Sequence, residues 1–136
     1  MPAQPDASPQ QGEFLNPPLV EPVMVPATDG VEVAVYDFGG SGPLLMLWHA
    51  TGFCGGYWEP IARRLAGQIR CVAIDIRGHG RTTIPEGLSM AWTGMGNELL
   101  ATIDHARTLD GVDGQGPVCA AGHSMGGASI VLAELA

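Results

Sequence analysis

The composition of the chain sets the first limits on what it can be. A length of 136 residues, with 46% apolar and 15% charged residues, is typical of one soluble globular domain with a hydrophobic core. The formal net charge is −8, and the six basic residues are all arginines without a cluster beyond one adjacent pair, which excludes the basic stripe that nucleic-acid binding requires. No apolar run approaches the ~20 residues of a membrane span.

The N-terminal residues differ from the rest of the chain. Residues 1–18 are rich in Pro and Gln and have neither a basic residue nor the apolar stretch of a signal peptide, so we expect a disordered tail over 1–18 and a folded domain over 19–136. Three cysteines, Cys54, Cys71 and Cys119, lack C-x-x-C spacing. They predict reduced thiols in a cytoplasmic protein, without a disulfide framework, a metal site or a cofactor.

Five short apolar or alternating segments predict strands. Residues 19–25 and 31–38 alternate on either side of Asp29-Gly30, which favours an antiparallel hairpin. Continuous apolar runs at 44–48, 71–76 and 118–121 are typical of strands that are buried on both faces.

Segments whose apolar residues recur at helical spacing lie between the last three predicted strands and after them. The first helix is predicted to bury Trp58, Ile61 and Leu65, and a third, Ala-rich helix is predicted to run from Ser124 to the end. The apolar face predicted for the second helix consists of Trp92, Met95, Leu99, Ile103 and Ala106. This order predicts an α/β fold, in which an antiparallel first hairpin precedes a mainly parallel sheet flanked by helices and the chemistry lies at the carboxyl ends of the strands.

A serine follows the last predicted strand in a G-x-S-x-G pattern. Gly122-His123-Ser124-Met125-Gly126 stands between an apolar run and a helix-forming segment. A sharp strand-to-helix turn strains the serine backbone and requires small residues two positions away, which Gly122 and Gly126 provide. The turn exposes the Ser124 hydroxyl. It also directs the Met125 amide toward the negative charge that forms on the carbonyl oxygen of a bound substrate. A glycine-rich turn with only a packing role is the alternative.

Three segments, residues 44–53, 70–82 and 117–134, resemble the first active-site segments of the α/β-hydrolase superfamily, in its serine esterase, lipase and cofactor-free haloperoxidase-like branches. Residues 122–127 are similar to the nucleophile turn of monoglyceride lipases. The resemblance implies the N-terminal half of an α/β-hydrolase fold, with Ser124 as nucleophile and the amides of Met125 and Thr51 as oxyanion donors. Gly52 is the alternative donor. Ala50 departs from the family pattern, which usually has glycine after the histidine of this loop. Serine at position 124 argues against the epoxide hydrolase and haloalkane dehalogenase branches.

The resemblance also assigns supporting roles. We expect His49 to be a buried histidine that hydrogen-bonds the loop backbone, Asp75 to be a structural carboxylate and His79 to be a hydrogen-bonded loop residue. The Cys54 thiol is expected to be chemically inert. His105, inside the second predicted helix, is expected to be a surface residue or a packing residue. The full set of expected structural motif positions is Gly122, His123, Gly126, Gly127, His49, Asp75, Arg77, Gly78, His79 and Gly80.

The family places an acid and then a histidine after the serine, whereas only Glu134 is ionisable after residue 127. We therefore expect a truncated domain that is inactive as it stands and that leaves an apolar strand edge uncovered. The expected function is hydrolysis of a carboxylic ester or related acyl bond in a small molecule. The alternatives are a cofactor-free haloperoxidase, a carbon–carbon bond hydrolase, or a non-catalytic binding module.

Overall fold

The computed structural model describes residues 20–136 and contains a five-stranded mixed sheet. The predicted tail, residues 1–18, lies outside the described residues. The strands are β1 (Val23–Pro26), β2 (Glu32–Asp37), β3 (Leu44–Trp48), β4 (Arg70–Ile74) and β5 (Val118–Gly122). Their spatial order is β1-β2-β4-β3-β5.

The direction of each strand pair agrees with the predicted fold class. β1 pairs with β2 and β2 with β4 in antiparallel register, while β3 is parallel to both of its neighbours, β4 and β5. The turn between β1 and β2 places Asp29 and Gly30 at φ of 59° and 74°. Asp, Asn and Gly tolerate this left-handed region better than other residues, which confirms the predicted hairpin turn.

Three α-helices within residues 20–136 cover the two faces of the sheet. They are α1 (Glu59–Leu65), α2 (Thr93–Ala106) and α3 (Met125–Glu134). Side chains of β3 alternate between the faces, so that Leu44, Met46 and Trp48 pack with α2 and α3, whereas Leu45 and Leu47 pack with α1. The sheet therefore lies between two apolar layers, as the fold class requires.

Two predicted helix contacts are wrong. Ile61 is 45% exposed, and its place against the sheet is taken by Ala62, which lies four residues after Trp58 and three before Leu65. Trp92 is 49% exposed because it stands just before the first residue of α2, outside the helical face that Met95 and Leu99 bury. Both errors arise at helix starts, where ideal helical spacing does not yet apply.

β5 forms one edge of the sheet. It pairs only with β3 among the described strands, and residues 119–122 are exposed although their side chains are apolar or absent. The predicted uncovered edge strand is thus confirmed. Ser124 and α3 continue directly from this edge.

Candidate active site

Parallel β3 and β5 and their neighbour β4 end on the same side of the sheet, which brings three loops together. These are the loop after Trp48, the turn after Ile74 and the turn after Gly122. A backbone hydrogen bond joins two of them, since the His123 amide donates to the Trp48 carbonyl at 3.0 Å. The structure therefore collects at one sheet edge the three segments that the sequence singled out.

Ser124 occupies a strained turn between β5 and α3. Its φ of 54° and ψ of −113° fall outside the regions that non-glycine residues usually adopt, and the residue is exposed. The turn is tight because a Cβ on Gly122 would come within 2.4 Å of the Gly126 carbonyl carbon. A Cβ on Gly126 would come within 2.4 Å of the Trp48 carbonyl oxygen. Both glycines are therefore required sterically, as the G-x-S-x-G pattern implies.

The loop after β3 lies against the start of α3. Thr51 Oγ1 is 3.3 Å from Met125 Sδ, and the Phe53 amide donates to the Ala50 carbonyl at 3.1 Å to close a turn over residues 50–53. Within residues 20–136 the Thr51 amide has no protein acceptor, and Met125 is the first residue of α3, where amides lack helical acceptors. Both expected oxyanion donors are thus amides that donate no hydrogen bond within the described residues, and they lie in neighbouring segments.

The Gly52 amide, the alternative donor, is already engaged. It donates to His79 Nε2 at 3.0 Å, and His79 Nδ1 lies 3.0 Å from the Arg77 carbonyl. A carbonyl can only accept, so Nδ1 carries the proton and Nε2 presents its lone pair to Gly52. The structure places His79 as a hydrogen-bonded loop residue.

His49 makes the contacts expected of a buried histidine that hydrogen-bonds the backbone. Its side chain is fully buried, Nε2 accepts from the Ile76 amide at 2.9 Å, and Nδ1 donates to the Ala50 carbonyl at 2.8 Å. Burial lowers the pKa of His49 below its usual value; the hydrogen bond to Ala50 raises it and nearby His79 lowers it further. With both ring nitrogens bonded to the backbone, neither His49 nor His79 has a lone pair available for the Ser124 proton.

Asp75 organises the turn after β4. Its buried carboxylate accepts from the Tyr36 hydroxyl at 2.9 Å and from the amides of Gly55 and Arg81 at 2.7 and 2.8 Å. Burial and the hydrogen bond to Asp75 raise the pKa of Tyr36. A Cβ on Gly80, whose φ is +51°, would come within 2.2 Å of the carboxylate. These contacts are those of a structural carboxylate.

Sequence reasoning missed a buried ion pair beneath this turn. Arg77, placed among the motif positions without a partner, donates from Nε to Glu98 Oε1 on α2 at 2.5 Å and from Nη1 to the Ser89 carbonyl at 2.8 Å. The two side chains are 2% and 0% exposed. Burial raises the pKa of Glu98, while Arg77 acts to lower it. The spacing of Met95, Glu98, Leu99 and Thr102 was a usable signal, since it puts Glu98 on the buried stripe of the helix.

The remaining predicted positions lie around this arrangement. Gly78 has a φ of +76° in the turn after β4, and Gly127 lies in the first turn of α3. His123 is exposed, with its ring centroid 6.0 Å from that of Phe53. Cys54 is an exposed free thiol and His105 is half-buried on α2. No helix within residues 20–136 combines the length and apolarity needed to cross a membrane.

Comparison with known proteins agrees with this architecture. Residues 45–136 match the model of the alpha/beta hydrolase family, and the chain belongs to that family. It is 34% identical over 103 residues to protein phosphatase methylesterase 1 of Homo sapiens, a match that covers 71% of this chain and 25% of that protein. The chain spans about a quarter of the length of the curated methylesterases it matches.

Solved structures give the same result. An alpha/beta hydrolase from Sphaerobacter thermophilus superposes with a TM-score of 0.68 at 28% identity, covering 82% of this chain and 39% of its own. Epoxide hydrolase VrEH1 from Vigna radiata superposes with a TM-score of 0.71 at 25% identity, a match that covers 85% of this chain and 34% of the epoxide hydrolase. These relatives are hydrolases, and the predicted family and fold class are confirmed.

Proposed function

We propose that Ser124 is the nucleophile of a serine hydrolase that cleaves a carboxylic ester or related acyl bond in a small-molecule substrate. The observation that carries the proposal is the backbone of Ser124, whose φ of 54° and ψ of −113° belong to an exposed residue at a strand-to-helix turn. Strain of this kind persists only where surrounding packing enforces it, and it clusters at functional sites. Here Gly122 and Gly126 allow that packing.

The neighbouring amides support acyl transfer in particular. When a hydroxyl attacks a carbonyl, negative charge develops on the carbonyl oxygen, and preorganised N–H groups stabilise it. Within the described part of the chain, the amides of Thr51 and Met125 have no helical or other protein acceptor to give up before they bind that oxygen. The start of α3 adds the positive end of a helix dipole on the same side.

The proposed reaction proceeds through an acyl-enzyme. Ser124 Oγ bonds to the carbonyl carbon as its proton passes to a histidine base; the alcohol leaves with that proton, and water then releases the acid. The base is proposed to be a histidine downstream of residue 136, because in this fold the catalytic histidine follows the serine in chain order. The ring nitrogens of His49 and His79 are occupied by backbone groups. Similarity to methylesterases supports an ester substrate, and the serine argues against epoxide opening through an aspartate ester. Cytoplasmic localisation stays a prediction.

The proposal is tested with the product of the open reading frame that contains this sequence, hereafter the full reading-frame product. We expect it to hydrolyse p-nitrophenyl esters and expect Ser124→Ala to abolish hydrolysis. Ser41→Ala is the matched control, because Ser41 is an exposed serine in the loop before β3, at the opposite end of that strand. Hydrolysis that survives in Ser124→Ala, or that is lost equally in Ser41→Ala, would overturn the assignment.

A further inference from the structure

The turn over residues 50–53 has a conformation that its own sequence does not determine. It is closed by the Phe53 amide donating to the Ala50 carbonyl, and its third residue, Gly52, has a φ of +83°. A left-handed third residue is typical of a type II turn, whereas a type I turn keeps that residue at negative φ. Glycine is free to adopt either form. The two forms differ by a flip of the peptide unit that joins Thr51 to Gly52.

His79 holds one of these two orientations. The flip would reverse the direction of the Gly52 N–H, which here points at His79 Nε2 at 3.0 Å. The ring is held in turn by Nδ1–H donating to the Arg77 carbonyl and by edge contact with buried His49, whose ring centroid is 5.0 Å away. Arg77 is itself anchored by its buried pair with Glu98. A continuous series of contacts therefore runs from α2 to the exposed turn.

We propose that His79, as its neutral Nδ1–H tautomer, is a positioning residue that fixes the Thr51–Gly52 peptide and thereby leaves the Thr51 amide as the oxyanion donor. The inference rests on the proposed function of Ser124 for its catalytic consequence, but the hydrogen bond itself does not. An engaged Gly52 amide cannot also serve an oxyanion. His79 thus both holds the loop and determines which amide is available.

The hydrogen bond is tested first, without reference to activity. In the uniformly ¹⁵N-labelled full reading-frame product at neutral pH, we expect a scalar coupling across the hydrogen bond between Gly52 N and His79 Nε2. We also expect ring nitrogen shifts of the Nδ1–H tautomer. Absence of the coupling together with Nε2–H shifts would overturn the proposal.

The catalytic consequence is tested by ester hydrolysis in two variants. His79→Leu removes the acceptor, so the turn that carries the Thr51 donor is no longer held in one form. We expect kcat to fall about 10- to 10²-fold with little change in KM, because a less firmly positioned oxyanion donor stabilises the transition state less. His79→Gln can place an amide oxygen near the position of Nε2 and should restore most of kcat. His105→Leu, a half-buried histidine on α2, is the matched control and should leave kcat unchanged.

The outcomes separate this inference from the proposed function. If Ser124 proves unreactive while the Gly52–His79 coupling is present, the nucleophile assignment fails and the positioning contact stands. If the enzyme is active and His79→Leu and His79→Gln lose activity equally, or neither does, the positioning role is wrong. Should His79→Leu not fold, the coupling measurement and the His79→Gln variant still decide it.

Discussion

Substituting Gly126 by alanine tests the steric basis of the serine turn. A Cβ there would lie 2.4 Å from the Trp48 carbonyl oxygen and 2.7 Å from that of His49, about 1 Å closer than the 3.4 Å at which ordinary contact begins. Both obstacles are backbone atoms at the end of β3, so no side-chain rotation relieves them. Either α3 or the loop after β3 must move by about that distance.

Gly127 provides the matched control one residue further along. The tightest contact of a Cβ there would be with the Gly122 carbonyl oxygen, at 3.3 Å, which a shift of a few tenths of an ångström relieves. Inside a helix, alanine is favoured over glycine by about 1 kcal/mol, which offsets that cost. We therefore expect Gly127→Ala to stay within about 1 kcal/mol of the parent chain.

For Gly126→Ala we expect a loss of about 1–3 kcal/mol or more in the free energy of unfolding, the usual range for overpacking in a well-packed region. Equilibrium urea unfolding of the full reading-frame product and of both variants measures it, with the m-value as a check that the unfolding transition is unchanged. If Gly126→Ala is no more destabilising than Gly127→Ala, the close approach of α3 to the end of β3 is wrong.

Three further predictions concern charge, pH and activity. Glu98→Ala should cost about 3–5 kcal/mol because it leaves buried Arg77 without its counter-charge. Arg63→Ala, which removes the exposed partner of the i,i+4 pair with Glu59, should cost at most about 0.5 kcal/mol in urea unfolding, and equal costs would contradict the buried pair. The folded-state pKa of His49 lies below the ordinary 6.5, so its contribution to stability is present above pH 6.5 and is lost as the pH falls further. Between pH 8 and 5, the thermal unfolding temperature of His49→Gln should therefore fall less steeply with decreasing pH than that of the parent. The same dependence on pH in both proteins would refute this. Residues 1–136 alone should hydrolyse p-nitrophenyl acetate no faster than their Ser124→Ala variant, and a clear excess of the parent would show that a histidine within them acts as base.

The local patterns of the sequence predicted most of the fold. Period-two alternation, apolar runs and glycine turns are properties of neighbouring residues, so the hairpin, the strand order along the chain and the turn at Ser124 could be derived. Ile61 was misplaced because α1 is only seven residues long and begins after a turn of different pitch. Short helices give few residues from which to determine the buried face.

The contacts that organise the site were harder to derive because they join distant positions. Arg77 and Glu98 are 21 residues apart, and Gly52 and His79 are 27 apart. A charged residue or a histidine in a loop is usually solvated, so neither pattern by itself indicates a partner. The fold supplies both partners: α2 places Glu98 beneath the turn after β4, and the loop after β3 places Gly52 against the same turn.

The central claim, that Ser124 is an activated nucleophile, is tested most directly by covalent labelling. The full reading-frame product is treated with a fluorophosphonate probe, digested, and mapped by mass spectrometry, with Ser41→Ala and Ser124→Ala variants treated in parallel. We predict a single phosphonylated residue, Ser124, in the parent and in Ser41→Ala, and no labelling in Ser124→Ala. Modification at any other residue, or none in a protein that hydrolyses esters, would contradict the account.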